Sequence, residues 1–349
     1  MTKLQAITTV IFLTTFVAFT SCKGGDKKME HSWSELPEVT ALGKLKQTDF
    51  VPTLENSIPD NKNVIYAPAF LYAWDKVQKE LKSNIVVSDN NSPDFKLLTN
   101  SKSYLNSLTE DEYSVNVDFD GDAIMAYAFF NKTLPFEIKL QKLEESIKFG
   151  KAKVSAFGMY YFDEEAIKFS KILFYDNDNK FVLKLIPKDK QHEIILVKGL
   201  DNVNSLANAV KKTTQLINRG KDEKLNPKQS WKYKILPGDN FAIPTIKFNI
   251  ETNYTRLEGQ TFKTSDNKNH VFYEGYQRTG FILNENGAVA ESEAYAVTDS
   301  VGAEPIITHP KKMIFDKRFY IIIKRTDKTN PYFVMKVDNQ ELMTKNNGS

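Results

Sequence analysis

Apolar and aromatic residues recur in short runs through the later two thirds of the chain, in the pattern of β-strands. The runs from Ala126 to Phe136 and from Val154 to Tyr161 are rich in aromatic residues, which favour strands. Lys171 to Pro187 contains two apolar runs around an Asp/Asn-rich turn and predicts a β-hairpin. Phe241 to Phe248 is a further, mostly apolar run in this region. This part of the chain is therefore predicted to be dominated by β-structure.

Helical spacing is found in two segments. A short strand that begins at Asn63 precedes residues spaced three and four apart, which predict a helix with one mostly apolar face: Leu71, Trp74, Gln78 and Leu81. A second amphipathic helix is predicted from Asn202 to Asn218, with Gly220 as its stop. Residues 85–120 are polar and give no clear assignment. Helices early and strands late predict an α+β fold.

After Gly287 small and larger side chains alternate strictly. The even-numbered positions are all small: Ala288, Ala290, Ser292, Ala294 and Ala296. Such alternation predicts one face of an extended strand, and a face of only small residues fits a slot where larger side chains would overpack. Alanine and glutamate are poor strand formers, so the segment is predicted to be a loop that can become a buried strand. A surface hairpin or a disordered loop is the alternative.

Three ordered segments resemble the C-terminal part of the serpins, a family of serine protease inhibitors. Phe281 to Ala294 resembles the serpin hinge, Phe315 to Ile323 the strand after the reactive loop, and Tyr332 to Asn339 the C-terminal strand. With gaps, the resemblance extends back to Asn63. It implies an α+β serpin-like fold, with N-terminal helices packed on mixed and antiparallel sheets and an exposed reactive loop near the C-terminus.

The resemblance also implies site residues. The hinge would comprise Glu285, Gly287, Ala288, Ala290, Ser292 and Ala294. Family spacing places the cleaved bond between Val301 and Gly302, with Val297 and Ala303 as neighbouring candidates. No lysine or arginine lies between Gly287 and Pro310, and a trypsin-like protease needs a cation for its specificity pocket. The expected target is therefore a protease with an elastase-type preference for small or aliphatic residues.

In serpins a protease attacks the reactive loop and is acylated, and the hinge then inserts into the main sheet as a new strand. The implied function is inhibition of extracytoplasmic serine or cysteine proteases, without catalysis and without a cofactor or metal. Several positions depart from the family pattern. Ala67 and Phe70 stand where serpins have serines, Gln277 or Arg278 where they have a histidine, and Leu134 near a family tryptophan.

These departures leave two other functions open. The first is a non-inhibitory surface lipoprotein with the serpin fold that binds a protein partner. The second is a nutrient-capture lipoprotein of unrelated fold. The thermal stability after cleavage of the loop distinguishes the inhibitor from the non-inhibitory lipoprotein. A large rise supports insertion and inhibition, and no change supports the binding role.

The N-terminus has the pattern of an export signal. Lys3 precedes an apolar run from Leu4 to Phe19 that is too short for a membrane span, and Cys22 follows it. Cys22 is the only cysteine among 349 residues, so no intramolecular disulfide is possible. The pattern resembles a bacterial lipoprotein, which predicts a signal peptide at 1–21, lipidation of Cys22, a flexible tether at 22–38, a serpin-like domain at 39–341 and a tail at 342–349. The expected location is the cell envelope, lipid-anchored at the outer membrane or cell surface. A secreted protein with a spare cysteine is the alternative.

Composition narrows the remaining classes of function. The formal net charge is +3 with both signs mixed, which gives no reason to expect a nucleic-acid partner, and a monomer is expected. No hydrolase, phosphate-binding or zinc motif is present in the sequence. The four histidines lie far apart and are expected on the surface or in turns: His31, His192, His270 and His309. Asp118 to Asp122 is expected to be a solvated turn between strands rather than a calcium loop.

Overall fold

A computed structural model describes residues 36–130, 134–288 and 310–345 of the chain. These residues form four α-helices: α1 Ala69–Leu81, α2 Pro93–Asn100, α3 Glu164–Lys168 and α4 Leu206–Leu225. Three short 3₁₀ helices cover Leu42–Lys44, Glu110–Glu112 and Ser230–Tyr233.

The same residues form these strands: β1 Thr40–Ala41, β2 Thr48–Phe50, β3 Asn63–Tyr66, β4 Ile85–Val86, β5 Ser114–Asp120, β6 Ala123–Phe130, β7 Leu134–Pro135, β8 Gln141–Lys142, β9 Ile147–Phe149, β10 Ala152–Val154, β11 Ala156–Met159, β12 Ser170–Asn177, β13 Lys180–Leu185, β14 His192–Lys198, β15 Asn240–Pro244, β16 Ile246–Asn253, β17 Gln260–Thr264, β18 Asn269–Leu283, β19 Gly287–Ala288, β20 Lys312–Ile314, β21 Phe319–Arg325 and β22 Phe333–Val337. The α+β class predicted from the sequence is confirmed.

Three sheets organise these strands. In the main sheet the long strand β18 pairs with β6 on one side and with β16 and β17 on the other, while β5, β1 and β4 complete it. The second sheet has the order β12-β13-β14-β21-β22-β3-β2, and a smaller sheet has the order β20-β15-β11-β8. The hairpin β9-β10 and the short pair β7-β19 lie outside these sheets.

The hydrophobic core joins the main sheet, α1 and the second sheet. Phe281 of β18 stacks on Phe333 of β22 with ring centroids 4.4 Å apart, which links the two large sheets directly. From α1, Trp74 packs edge-on against Phe272 of β18 at 5.4 Å. Each of these large side chains contributes about 1.5–3 kcal/mol by leaving water, so the contact between sheets is a major source of stability.

Both predicted helices form, with differences at their faces and ends. α1 buries Phe70, Ala73, Trp74 and Val77, so its inner face is rotated away from the predicted Gln78. α4 does not stop at Gly220 but continues to Leu225. A Cβ at residue 220 would lie 1.9 Å from the carbonyl oxygen of Leu173, so this glycine allows the helix to pack closely on β12.

The predicted hairpin is confirmed as β12 and β13. The turn between β5 and β6 is confined to Gly121-Asp122, because Asp118 to Asp120 still belong to β5. The runs at residues 154–161 and 241–248 each divide between two strands of different pairings. Residues 85–120, which the sequence left unassigned, contain α2 and β5. The Ser92 side chain accepts a hydrogen bond from the backbone N–H of Phe95 at 3.2 Å and caps α2.

The two ends of the described chain are packed rather than extended. Leu36 is buried, and the carbonyl of Pro37 accepts a hydrogen bond from the Asn249 side chain at 2.9 Å. Leu342 and Met343 are buried as well. Residues 36–37 and 342–343 therefore pack against the rest of the fold. No helix within the described ranges is long and apolar enough to cross a bilayer.

Candidate functional site

The candidate site is a parallel strand pair in the main sheet, together with the hinge that follows it. Ala126–Phe130 of β6 pairs in register with Gly275–Thr279 of β18, and this pairing is called the seam. β6 is antiparallel to β5, and β18 is antiparallel to β16 and β17, so the seam is a parallel contact between antiparallel parts of one sheet. Parallel pairing is slightly less stable per residue, and an antiparallel strand placed between the two could pair with both.

Small residues line the core side of the seam at its Ala126–Gly275 end, where aromatic rings of the core lie against Gly275. Ala126, Ala128 and Gly275 are all fully buried. A Cβ added at Gly275 would lie 2.7 Å from Cζ of Phe70 and 2.6 Å from Cζ of Phe272. Any strand that joined the sheet here would meet the same rings, so its core-facing side chains would have to be small.

A buried polar cluster lies next to these small residues. The Tyr254 hydroxyl donates to Oε1 of Gln277 at 3.2 Å, and Nε2 of Gln277 donates to Oγ1 of Thr279 at 2.9 Å. Burial raises the pKa of Tyr254 far above its ordinary value, so the phenol stays protonated as the donor. Phe70 packs on the Tyr254 ring with centroids 4.4 Å apart. Of the two residues expected at the family histidine position, Gln277 thus lies in the core.

The outer side of the seam carries aromatic and charged side chains. Arg278 lies here, and its Nε donates to Oδ1 of Asn249 at 3.0 Å. Tyr276 lies 6.3 Å from Tyr127 and 5.9 Å from Phe129, measured between ring centroids. Burial, aided by the hydrogen bond to Glu251, raises the pKa of Tyr276 to about 12. The two sides of the seam therefore differ sharply in size and polarity.

The hinge begins with a tight turn at the end of β18. Asn284 and Gly287 exchange both backbone hydrogen bonds, at 3.0 and 3.1 Å, across the two-residue loop Glu285-Asn286. Gly287 has φ of +122°, and a Cβ there would lie 2.5 Å from the carbonyl oxygen of Leu134. Only glycine fits this conformation and this close approach of two backbones.

Beyond the turn the hinge is already paired. Gly287 pairs with Pro135 and Ala288 with Leu134, antiparallel, and Ala288 is only 1% exposed. A further hydrogen bond stabilises the turn, because the carbonyl of Glu285 accepts the N–H of Leu140 at 2.9 Å. The first two residues of the predicted loop are therefore already paired in this structure. Their register was missed because it depends on β7, which precedes them by some 150 residues in sequence.

The other predicted site residues lie outside the described part of the chain. These are Ala290, Ser292, Ala294, Val301, Gly302 and the lipidation candidate Cys22. Among the predicted hinge residues, Glu285, Gly287 and Ala288 are the ones that the structure brings to the end of the seam.

At the far end of the loop, Lys311 is fixed by a buried ion pair that the sequence did not suggest. Lys311 Nζ lies 2.6 Å from Oδ2 of Asp239, and both side chains are 1% exposed. Asp239 Oδ1 also accepts the backbone N–H of Lys311 at 2.7 Å. Immediately afterwards β20 pairs with β15 in parallel. The Lys311–Asp239 pair, called the clasp, thus anchors the chain where it re-enters the fold.

The histidines differ from the sequence expectation. His192 and His270 are buried, with exposed fractions of 1% and 8%, whereas His31 and His309 lie outside the described residues. His192 Nδ1 is 2.9 Å from the hydroxyl of Tyr332, and its Nε2 is 3.4 Å from carboxylate oxygens of Glu112 and Asp189. In the described ranges, no three His, Cys, Asp or Glu side chains gather in a way that could hold a metal ion.

Comparison with known proteins gives similarity at the level of structure alone. No family model matches the sequence, and no curated protein matches it either. A solved serpin of the insect Tenebrio molitor, Serpin48, is 14% identical, with 81% of this chain and 92% of that chain covered at a TM-score of 0.39. Thyroxine-binding globulin in complex with thyroxine is 17% identical, with 62% and 56% covered at a TM-score of 0.36.

A solved serpin is thus among the structures that this chain resembles.

Proposed function

We propose that the chain is a serpin-like inhibitor of extracytoplasmic serine or cysteine proteases, which acts by loop cleavage and insertion of the hinge strand into the seam. The observation that carries the proposal is a shared register. The hinge already pairs with β7 on one side and folds back on the end of β18 on the other. If both pairings continue along the chain after Ala288, each loop residue faces one residue of β6 and one residue of β18. Those two residues are already each other's partners across the seam.

The register can be followed residue by residue. If the pairing of Gly287 with Pro135 continues, Ser292 lies opposite Phe130; if the turn at Asn284 continues, Ser292 also lies opposite Thr279. Phe130 and Thr279 are partners in the closed seam. The inserted strand would therefore need the two strands to move apart without sliding along each other.

The alternation of the hinge segment matches the two sides of the seam. In this register Ala294 would take the core side between Ala128 and Gln277, and Ala296 between Ala126 and Gly275. Glu293 would lie on the outer side next to Arg278, with opposite charge. Tyr295 would lie between Tyr127 and Tyr276, where cross-strand aromatic pairs contribute roughly 0.2–1 kcal/mol each.

The choice of protease follows from the loop sequence. The absence of lysine and arginine between Gly287 and Pro310 argues against a trypsin-like target and favours an enzyme that accepts small or aliphatic residues. Val301-Gly302 is the proposed bond. The test is incubation with a panel of elastase-, chymotrypsin- and trypsin-type proteases, read as adducts that survive denaturing electrophoresis. A covalent adduct with an elastase-type enzyme is expected, and cleavage without an adduct by every enzyme would exclude this mechanism.

The second candidate is a non-inhibitory serpin-fold lipoprotein that binds a protein partner. Phe70 favours it, because this ring fills the core side of the seam at a position where the family pattern has a serine. The thermal midpoint of the protein after a single cleavage in the loop separates the two candidates. Insertion adds a strand and raises the midpoint, by about 2–4 °C for each kcal/mol in a domain of 150–250 residues. An unchanged midpoint supports the binding protein.

The location of the protein is part of the proposal. The signal-like N-terminus and Cys22 support a lipid anchor at the cell envelope, either in the outer membrane or on the cell surface. Metabolic labelling with a fatty-acid analogue tests it: label is expected on the wild type and lost in Cys22→Ala. Label that persists in the variant would place the acyl group elsewhere, and a protein found free in the medium would support simple secretion.

A further inference from the structure

A cleft separate from the seam lies between α4, β12 and residues 233–236. Its volume is about 480 Å³, inside the range of roughly 300–1,000 Å³ typical of small-molecule sites. Much of its wall is apolar, formed by Ile172, Leu173, Ile217, Ile235 and Leu236. None of these residues belongs to the hinge or the seam, and Leu236 touches the clasp only through its backbone N–H, which donates to Asp239 at 2.9 Å. The proposed inhibition therefore gives the cleft no role.

The charged residues of the cleft are all cationic. Four lysines line it and no aspartate or glutamate does: Lys171, Lys221, Lys224 and Lys234. All four side chains are exposed at its edge. Within the part of the chain that the structure describes, none of the four makes an ion pair, whereas Lys232 nearby lies 3.7 Å from Glu223. The edge of the cleft therefore attracts anions and leaves its cations available to them.

A buried hydroxyl on the cleft wall also lacks a partner. Ser170 is 3% exposed, and its Oγ makes no hydrogen bond to any described residue. An unsatisfied buried polar group costs about 1–3 kcal/mol, and a ligand oxygen in the cleft would remove that cost. The neighbouring Tyr233 hydroxyl is by contrast satisfied, because it donates to Oε2 of Glu223 at 2.7 Å.

We propose that this cleft binds an amphiphilic organic anion, such as a medium-chain carboxylate. The apolar chain would lie on the isoleucine and leucine wall, the carboxylate would face the lysines, and one oxygen would accept the hydrogen bond of Ser170. The apolar wall selects an alkyl chain, the cationic edge selects a negative charge, and the unpartnered hydroxyl selects an acceptor oxygen. Only an amphiphilic anion satisfies all three.

The first test is isothermal titration of the full folded chain with four probes below their micelle concentrations. Decanoate carries both the chain and the charge, decanol only the chain, propionate only the charge, and decyltrimethylammonium the opposite charge. Decanoate is expected to bind at least about tenfold more tightly than each of the others. Equal binding of decanol, or of propionate, would overturn the proposal, as would no binding of decanoate.

Variants then locate the site. Lys171→Glu with Lys224→Glu is expected to raise the Kd for decanoate about tenfold or more. Lys211→Glu with Lys228→Glu is the matched control, because these exposed lysines make the same charge change outside the cleft. If the control pair weakens binding equally, only net charge matters and the site is not this cleft.

Ser170→Ala is an independent test, because stability and decanoate affinity are expected to respond differently. It removes an unpartnered hydroxyl, so the ligand-free protein should be as stable as the wild type or more stable in urea unfolding, while decanoate binds more weakly. Unchanged affinity in this variant would remove Ser170 from the site. Its thermal midpoint, measured alongside, ensures that weaker binding is not caused by misfolding.

Discussion

At the scale of single residues, the seam is governed by how little space its core side offers. Gly275 and Phe70 are in contact there, and no side chain larger than a hydrogen atom fits at residue 275 without a shift of buried rings. A glycine inside a long strand is a recognised sequence signal for such a close approach. The partner ring comes from a helix some 200 residues away, so no local pattern in the sequence identifies Gly275 as such a contact.

Gly275→Ala is expected to lower the free energy of unfolding by about 1–3 kcal/mol, because the added methyl overpacks against Phe70 and Phe272. Urea unfolding measures it. Gly43→Ala is the control, since a Cβ at Gly43 meets no atom within 4 Å. Phe70→Leu in the Gly275→Ala background should recover part of the loss, and a double variant whose losses simply add would show that the two residues do not press on each other.

Ala290→Arg is expected to convert the proposed inhibitor into a substrate. Continuation of the hinge register puts residue 290 opposite Phe281, which is buried, so an arginine there would bring an unpaired charge into the core. The adduct on a denaturing gel should disappear while the loop is still cleaved. Glu291→Arg places the same charge on the outer side and should leave the adduct; loss of the adduct in both variants would contradict the assigned faces.

At the scale of elements, the clasp and β20 hold the far end of the loop. Asp239 satisfies two backbone N–H groups, of Leu236 and Lys311, in addition to the Lys311 ammonium. Its removal would therefore leave both a buried cation and unpaired donors. Since β20 has only three residues, its pairing with β15 depends on this anchor.

Asp239→Ala should destabilise the protein by about 3–5 kcal/mol, the usual cost of breaking a buried ion pair by removing one partner. Urea unfolding measures the loss, and hydrogen exchange of the Lys312 to Ile314 amides should accelerate. Asp239→Leu combined with Lys311→Met removes both charges and should recover much of the stability. A single variant as stable as the wild type would mean that the clasp does not hold β20.

Elements with local signals were predictable from the sequence, and those defined by distant partners were not. The β12–β13 hairpin carries its own turn, in which Asn179 N–H bonds to Oδ1 of Asn177 at 2.9 Å. Ser92 followed by Pro93 is a local helix-start signal, so the start of α2 was predictable although residues 85–120 received no assignment. The division of residues 241–248 between β15 and β16 had no local cue, because the two strands pair with β11 and β18.

At the scale of the whole molecule, a polar junction ties the residue that follows β22 to the loop that precedes β3. The Asp338 carboxylate accepts Nε of Arg318 at 2.7 Å and the N–H of Asn61 at 3.0 Å, and Lys336 Nζ lies 3.3 Å away. Burial alone would raise the pKa of the Asp338 carboxyl, but the hydrogen bond from Arg318 and the charge of Lys336 hold it below its ordinary value.

A lowered pKa in the folded state means that unfolding takes up a proton at low pH. The contribution of Asp338 to stability is therefore complete above the unfolded pKa of about 3.9 and is lost as the pH falls through the lower folded pKa. Asp338→Asn should cost about 1.5–3 kcal/mol near neutral pH, and the difference from the wild type should shrink below about pH 4. Urea unfolding at about half-unit pH steps, from about pH 2.5 to about pH 7, tests this.

Asp60→Asn provides the control for this pH series, because Asp60 is exposed and lies 3.7 Å from the same arginine. Exposed ion pairs contribute about 0–1 kcal/mol, so this variant should follow the wild type at every pH. A difference between Asp338→Asn and wild type that stays constant down to the acid limit would contradict the lowered pKa.

The two-residue pairing of Gly287 and Ala288 bears on the speed of the proposed reaction. Starting a new ladder is the slow step when a strand must first find its alignment, and here that alignment exists before any protease arrives. The new strand would then pair residue by residue, starting from Gly287 and Ala288. A one-residue shift, which would turn Glu291 toward the core, would require this existing pairing to break. Whether a protease is captured or escapes would be decided by how fast β6 and β18 separate, measured against hydrolysis of the acyl bond.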